Sequence, residues 1–143
     1  MPTRRGNAEW QGNLPDGNGI ISVESGTFKN VQYSFKSRFE EGTGTNPEEL
    51  IAGAHAGCFS MALAHALASE DYKPQSIKTD AEVTLVKAGE GFEINKITLK
   101  TIAKVPNIEE GEFNKFANEA KENCPVSKAL KAVDIELNVV LNP

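Results

Sequence analysis

From Leu50 to Ala68 the chain carries no formally charged residue, and this stretch limits what the rest can fold into. The segment around it, TNPEELIAGAHAGCFSMALAHALAS (residues 45–69), opens as a helix. Asn46 is a cap residue and Pro47 suits the first helical position. Glu48 and Glu49 lie where exposed N–H groups favour negative charge. Glu49 also stands at capping-box spacing from Asn46. A helix apolar nearly all round is expected in the middle of the molecule, covered on every side. Its bulk is Ala and Gly, so neighbouring backbones can approach closely. The run has about the length of a bilayer span. It is only weakly hydrophobic, however, contains His55 and His65, and lacks basic flanks and an aromatic belt. The whole chain also has a negative mean hydropathy. A buried helix is therefore the reading adopted, with no membrane partner.

A length of 143 residues predicts a single domain, residues 1–143. Full cover for the helix is a demand that a dimer would help to meet. The net charge is −5 and there is no basic tract, which argues against nucleic acid as a partner. The start, MPTRRGNAEWQGN, has no apolar run after its arginines, so no secretory signal is expected and the cytoplasm is the default compartment. The cysteines are Cys58 and Cys124. In a reducing compartment a lone structural disulfide is not expected. Two reduced thiols, a transient catalytic disulfide and a metal site all stay open.

Ala8 and Trp10 alternate with polar neighbours and predict a short strand, followed by a Gly- and Asn-rich turn. Ile20 to Glu24 predicts a second strand. Val31 to Phe39 predicts a third, with Arg38 on the face away from Phe35 and Phe39. After the central helix, Ile77, Thr79, Ala81, Val83 and Leu85 alternate as a half-buried strand. Gly89-Glu90-Gly91 is a hairpin connection. The return strand changes phase between Ile94 and Ile97, which predicts a β-bulge at Asn95-Lys96, because one extra residue restores the apolar face. Asn107 to Glu110 has capping-box spacing and is expected to start a helix with Phe113, Phe116, Ala117 and Ala120 as its stripe. Pro125 suits a helix start and places Cys124 at the cap of a short helix. Val133 to Leu141 alternates as the last strand. The order predicts an α+β fold with a mainly antiparallel sheet.

Residue by residue, the chemistry stays undecided. Cys124 sits at a helix start, which favours a thiolate, yet a small polar cap would be chosen there anyway. Cys58, inside a continuous helix, is by itself best read as an inert buried thiol that would need a nearby cation to ionise. His55, Cys58 and His65 lie near one helix face. They permit a Cys–His base pair, or a metal- or ligand-binding protein built with Cys124, although HxxC without a second tight pair is a weak zinc signal. A Cys–His hydrolase would also need an orienting group and an oxyanion hole, for which there is no motif. Glu48 is explained as a helix N-terminal acid and Arg38 as an exposed strand residue.

The segment RFEEGTGTNPEELIAGAHAGCFSMALAHAL and the later NCPVSKAL closely resemble the osmotically inducible protein C (OsmC) and organic hydroperoxide resistance family, over essentially the whole chain. The CPVS form is that of the OsmC branch. The resemblance implies an intertwined homodimer in which two central buried helices are wrapped by sheets and the active sites are shared at the subunit interface. It implies a thiol-dependent peroxidase acting on organic hydroperoxides, and less readily on hydrogen peroxide, in oxidative or osmotic stress defence. No metal or cofactor is implied. By motif position, Cys58 matches the peroxidatic cysteine, Cys124 the resolving cysteine, Arg38 the activating arginine and Glu48 its acid partner. The implied reductant is a lipoylated protein or another dithiol donor. Phe35, Phe39, Phe59, Met61, Phe113 and Phe116 are candidates for an apolar wall against an alkyl chain, with ordinary core packing expected for most.

Glu48 and Cys58 are ten positions apart, which in a straight helix is a rise of about 15 Å. Either the helix breaks around Gly53 to Gly57, or Arg38 and Glu48 serve the Cys58 of a partner subunit.

Overall fold

The computed structural model describes all 143 residues and divides them into two units, residues 1–50 and 51–143. In the first, β1 (Gly6–Gln11), β2 (Asn18–Val23) and β3 (Val31–Tyr33) form an antiparallel sheet in that order. Trp10, Gly19 and Tyr33 stand opposite one another across the three strands. The two rings close over the glycine with centroids 5.3 Å apart. A Cβ at Gly19 would collide with both rings, so the contact requires glycine there.

The expected strand through Phe39 is a correction. It ends at Tyr33, and residues Phe35–Phe39 form a helix, α1. The cause is local. The Ser34 hydroxyl accepts the Ser37 N–H at 3.2 Å, and the Ser37 hydroxyl accepts the Ser34 N–H at 2.8 Å. This is a capping box with serine where Glu or Gln is usual. The Ser37 hydroxyl also reaches the Thr45 carbonyl at 2.7 Å, so this polar residue is the one that faces inward. Phe35 and Phe39, whose spacing was compatible with an alternating strand, instead meet as neighbours one helical turn apart, 4.9 Å between centroids.

Helix α2 (Pro47–Ser69) runs unbroken from the first unit into the second, with no interruption between Gly53 and Gly57. The Asn46 side chain accepts the Glu49 N–H at 2.8 Å as expected of a cap. The capping box stays half made, because the Glu49 carboxylate takes the Thr45 hydroxyl instead.

In the second unit, β4 (Ser76–Ala88) and β5 (Gly91–Lys104) form a long hairpin through Gly89-Glu90. Thr84 pairs with Lys96 and Leu85 with Ile94, so Asn95 is the extra residue of the expected bulge. Beyond it, Ile97, Leu99, Thr101 and Ala103 share the buried face. Strand β6 (Asp134–Leu141) joins the same sheet parallel to β5. The parallel return needs a crossover, which α3 (Glu110–Asn123) and α4 (Pro125–Ala129) supply. Helix α3 starts later than the Asn107 spacing implied. Asn107 has φ +66°, which suits a left-handed turn rather than a cap, and Glu109 takes the cap position.

The core of this unit joins Phe59, Leu63 and Leu67 of α2 to the sheet and to Phe113, Ala117 and Ala120 of α3. A hydroxyl chain of Ser60, Thr79 and Thr101 adds a polar tie between α2 and the sheet. The expectation of burial all round α2 does not hold in one chain. His55, Phe59, Leu63 and Leu67 form a buried stripe, whereas Gly53, Ala54, Gly57, Met61, His65 and Ala68 are exposed. Helix α2 is long and apolar enough to cross a membrane by length and composition alone. Its buried stripe belongs to the core just described.

Leu63→Ala removes a fully buried side chain at the centre of this core. It is expected to lower unfolding free energy by about 3 kcal/mol. Urea denaturation checks this: the midpoint drops with an unchanged slope, whereas a loss below about 1 kcal/mol would place Leu63 outside the cooperative core.

Candidate active site

Burial on α2 and the turn between α3 and α4 bring the two thiols together. Cys58 lies halfway along α2, partly exposed, and Cys124 is fully buried between α3 and α4. Both are free thiols, and the Cys124 S–H donates to Cys58 Sγ at 2.8 Å. Cys124 occupies the expected cap position, but its side chain makes no capping bond. Its sulfur is turned to Cys58.

The environment of Cys58 pushes its pKa up. Burial is the largest cause, followed by the hydrogen bond from Cys124, and the Val126 backbone N–H opposes them by donating to the sulfur. The N–H comes from the first turn of α4, so the backbone donor expected to help Cys124 acts on Cys58 instead. The net direction favours the thiol over the thiolate.

Below the sulfurs lies a second contact between the same elements. His55 Nε2 and Ser127 Oγ share a buried hydrogen bond of 2.7 Å. His55 Nδ1 is buried without a partner. Burial lowers the His55 pKa, so the ring is neutral near pH 7. His55, Cys58 and Cys124, considered from sequence as metal ligands, do not form a group that could hold a metal ion. His65 lies on the exposed stripe of α2.

Within the first unit, Arg38 and Glu48 form a bidentate ion pair. Arg38 Nε reaches Glu48 Oε1 at 2.9 Å and Nη2 reaches Oε2 at 3.1 Å. Glu48 is buried and the Arg38 side chain is 35% exposed. Two parallel bonds fix the plane of the guanidinium, not only its position. The guanidinium carbon also lies 5.2 Å from the centre of the Phe39 ring. Arg38 is part of the wall of a cleft of about 410 Å³, with Trp10, Leu14, Tyr33, Phe35 and Phe39. Of the aromatic candidates, Phe35 and Phe39 line this cleft. Phe59 and Phe113 are fully buried core, Phe116 packs against that core, and Met61 is exposed. Trp10, Leu14 and Tyr33 were not singled out from sequence. Trp10 and Leu14 come from a strand and a turn far from Arg38 along the chain, and Tyr33, five residues before it, was read only as a strand residue.

An α+β chain that sets a free cysteine of a long helix against a second free cysteine at the start of a short one, with a bidentate Arg–Glu pair at the beginning of the long helix, belongs to the class of thiol-based redox proteins. More narrowly, the chain belongs to the OsmC-like family: the family profile described as OsmC-like protein matches residues 40–138. Peroxiredoxin OsmC of Escherichia coli (strain K12) is 47% identical over 129 residues, covering 90% of each chain. The organic hydroperoxide resistance protein OhrB of Bacillus subtilis (strain 168) is 36% identical over 104 residues, covering 68% of this chain and 71% of that one. The crystal structure of OhrB of Bacillus subtilis matches with a TM-score of 0.71 at 25% identity, covering 95% of this chain and 98% of that one. An organic hydroperoxide resistance protein from Elizabethkingia anophelis matches in fold with a TM-score of 0.77 at 22% identity, covering 99% and 98%.

The sulfur contact predicts that a mild dithiol oxidant such as diamide will convert the protein to a single intrachain Cys58–Cys124 disulfide. Peptide mapping without reduction checks this. Predominantly interchain or unpaired products would contradict the contact.

Proposed function

We infer that this protein is a thiol-dependent peroxidase that reduces organic hydroperoxides through Cys58 and Cys124. The observation that carries the reading is the direct contact of two free thiols, one of them partly exposed. Cys58 as thiolate attacks the distal oxygen of the hydroperoxide. An S–O bond forms, the O–O bond breaks, and the alkoxide leaves as alcohol after taking a proton. The product is a sulfenic acid at Cys58. The Cys124 sulfur then attacks the Cys58 sulfur, water leaves, and a disulfide remains. An external dithiol reduces it by exchange and is itself oxidised to its disulfide. A lipoylated protein or a similar carrier is the reductant we propose.

The thiolate needs a cation. Burial and Cys124 hold Cys58 in the thiol form, against a single backbone N–H. We assign the missing charge to Arg38, held by Glu48, from the partner subunit of a homodimer. Two features support this. Helix α2 is unbroken, so the alternative of a break before Cys58 is not available. The exposed stripe of α2 is made largely of small residues, and a Cβ added at Gly53 or Gly57 would meet open space within the chain. A second helix fits such a face, and a dimer covers the apolar surface better than a membrane would, because the opposite stripe already packs in a protein core. Each subunit is then one OsmC-like domain, in the cytoplasm, with no nucleic-acid partner. The cleft of aromatic side chains beside Arg38 favours hydroperoxides with an apolar organic group over hydrogen peroxide.

Consumption of cumene hydroperoxide with a dithiol present tests the roles. Cys58→Ser is expected to abolish activity, and Cys124→Ser to accumulate a trappable sulfenic acid. Arg38→Ala raises the Cys58 pKa, so less thiolate is present at pH 7. A shift of one unit lowers the rate about tenfold there, and the rising limb of the pH profile moves to higher pH. Turnover by Cys58→Ser equal to wild type would overturn the reading.

A further inference from the structure

Helix α2 meets the start of α4 at two of its residues, Cys58, whose sulfur also takes the Val126 N–H, and His55, and the peroxidase cycle uses only the first. Cys58 meets Cys124, and His55 meets Ser127. His55 precedes Cys58 by three residues on α2, and Ser127 follows Cys124 by three. Residues three apart on a helix are neighbours on one face. The two contacts therefore run side by side, one turn apart, between the same elements.

The second contact has a cost that packing does not explain. His55 and Ser127 are buried, at 0% and 4% exposure, and His55 Nδ1 has no partner. A buried polar atom without a hydrogen bond is destabilising, and an apolar side chain of similar volume would avoid it. Yet the Nε2 bond is short and aimed at one hydroxyl. Meanwhile Cys124 has no capping bond of its own to fix its side chain. Val126 and Leu130 pack α4 against the core, but such packing is non-directional. The polar contacts from the Cys124 sulfur and the Val126 N–H converge on the one Cys58 sulfur, a single point about which the five-residue helix could turn. Two contacts a turn apart fix both its rotation and its sliding along α2.

We propose that His55 and Ser127 are a positioning pair whose hydrogen bond holds Cys124 in line with Cys58 while Cys58 is a sulfenic acid. The proposal rests on the two-cysteine reading above. The sulfenic acid has two fates. The Cys124 thiol condenses with it, forming the S–S bond and releasing water. Alternatively a second hydroperoxide transfers an oxygen to the Cys58 sulfur, its O–O bond breaks, alcohol leaves, and sulfinic acid remains. Dithiols do not reverse the second outcome. The pair favours the first by keeping the Cys124 sulfur at its place before the oxygen arrives.

The test measures the ratio of Cys58 sulfinic acid to Cys58–Cys124 disulfide per turnover, by mass spectrometry, across a range of cumene hydroperoxide concentrations. That ratio does not depend on how fast Cys58 is first oxidised, so a general loss of activity does not move it. Ser127→Ala is expected to raise it about five- to tenfold, the factor matching loss of one buried hydrogen bond. Ser127→Thr, which keeps the hydroxyl, is expected to stay at the wild-type ratio. His55→Phe fills similar space without the nitrogen, should behave like Ser127→Ala, and serves if that variant does not fold. A wild-type ratio in folded Ser127→Ala or His55→Phe overturns the proposal, as does a Thr variant as impaired as the Ala variant. Failure of both Ser127→Ala and His55→Phe to fold would make the pair a folding element and overturn it too. A wild-type protein that forms no Cys58–Cys124 disulfide would instead overturn the two-cysteine reading.

Discussion

A helix with no charged residue between Leu50 and Ala68 must find apolar cover, and most of the structure follows from how it does so. One stripe, including Phe59, Leu63 and Leu67, takes its cover from the β4–β5–β6 sheet and α3. Packing there sets the place of α3, and the end of α3 sets the place of Cys124. The contact between the cysteines is thus a by-product of burying the helix. The other stripe, with Gly53, Gly57 and Met61, has no cover inside the chain. The dimer inferred above answers that apolar debt and the electrostatic need of Cys58 with one interface.

That electrostatic need is specific. Burying a thiol beside a second thiol is good for forming a disulfide and bad for forming a thiolate. Cys58 shows both effects, since Cys124 sits within hydrogen-bond range and also raises its pKa. The Val126 N–H offsets part of this but not all. Arg38 is suited to the remainder because Glu48 fixes it through two bonds while leaving part of its side chain exposed. A lysine would supply the charge without the planar, bidentate anchoring.

Much of the architecture was legible in the sequence where a single periodicity dominated. The α2 cap, the β4–β5 hairpin, the extra residue at Asn95 and the Cys124-Pro125 helix start all followed from spacing. Errors arose where two periods fit the same residues. Phe35 and Phe39 satisfy both alternation and a helical turn, and the Ser34–Ser37 box decided for the helix. Asn107 matched a cap spacing but took a left-handed turn, a backbone preference that spacing does not encode. The parallel pairing of β6 follows from a crossover, which no strand pattern contains. At the site, the thiol contact and the Arg38–Glu48 pair join residues whose separation along the chain hides their meeting. Family resemblance supplied those pairings in advance, and physical reading of the residues alone did not. The mirrored spacing of His55 to Cys58 and Cys124 to Ser127 was present in the sequence, and it acquires meaning only once both pairs are seen to touch.

The central claim is that each active site combines a Cys58 with the Arg38 of the partner subunit. Mixing the inactive Cys58→Ser protein with the Arg38→Ala protein, which keeps about a tenth of the activity at pH 7, with subunits exchanged by unfolding and refolding together, tests it most directly. Half of the randomly paired dimers then carry one complete shared site, so activity should return to about a quarter of wild type. If the mixture shows only the average of its two parents while heterodimers are present, Arg38 and Cys58 do not work across the interface and the account of the site is wrong.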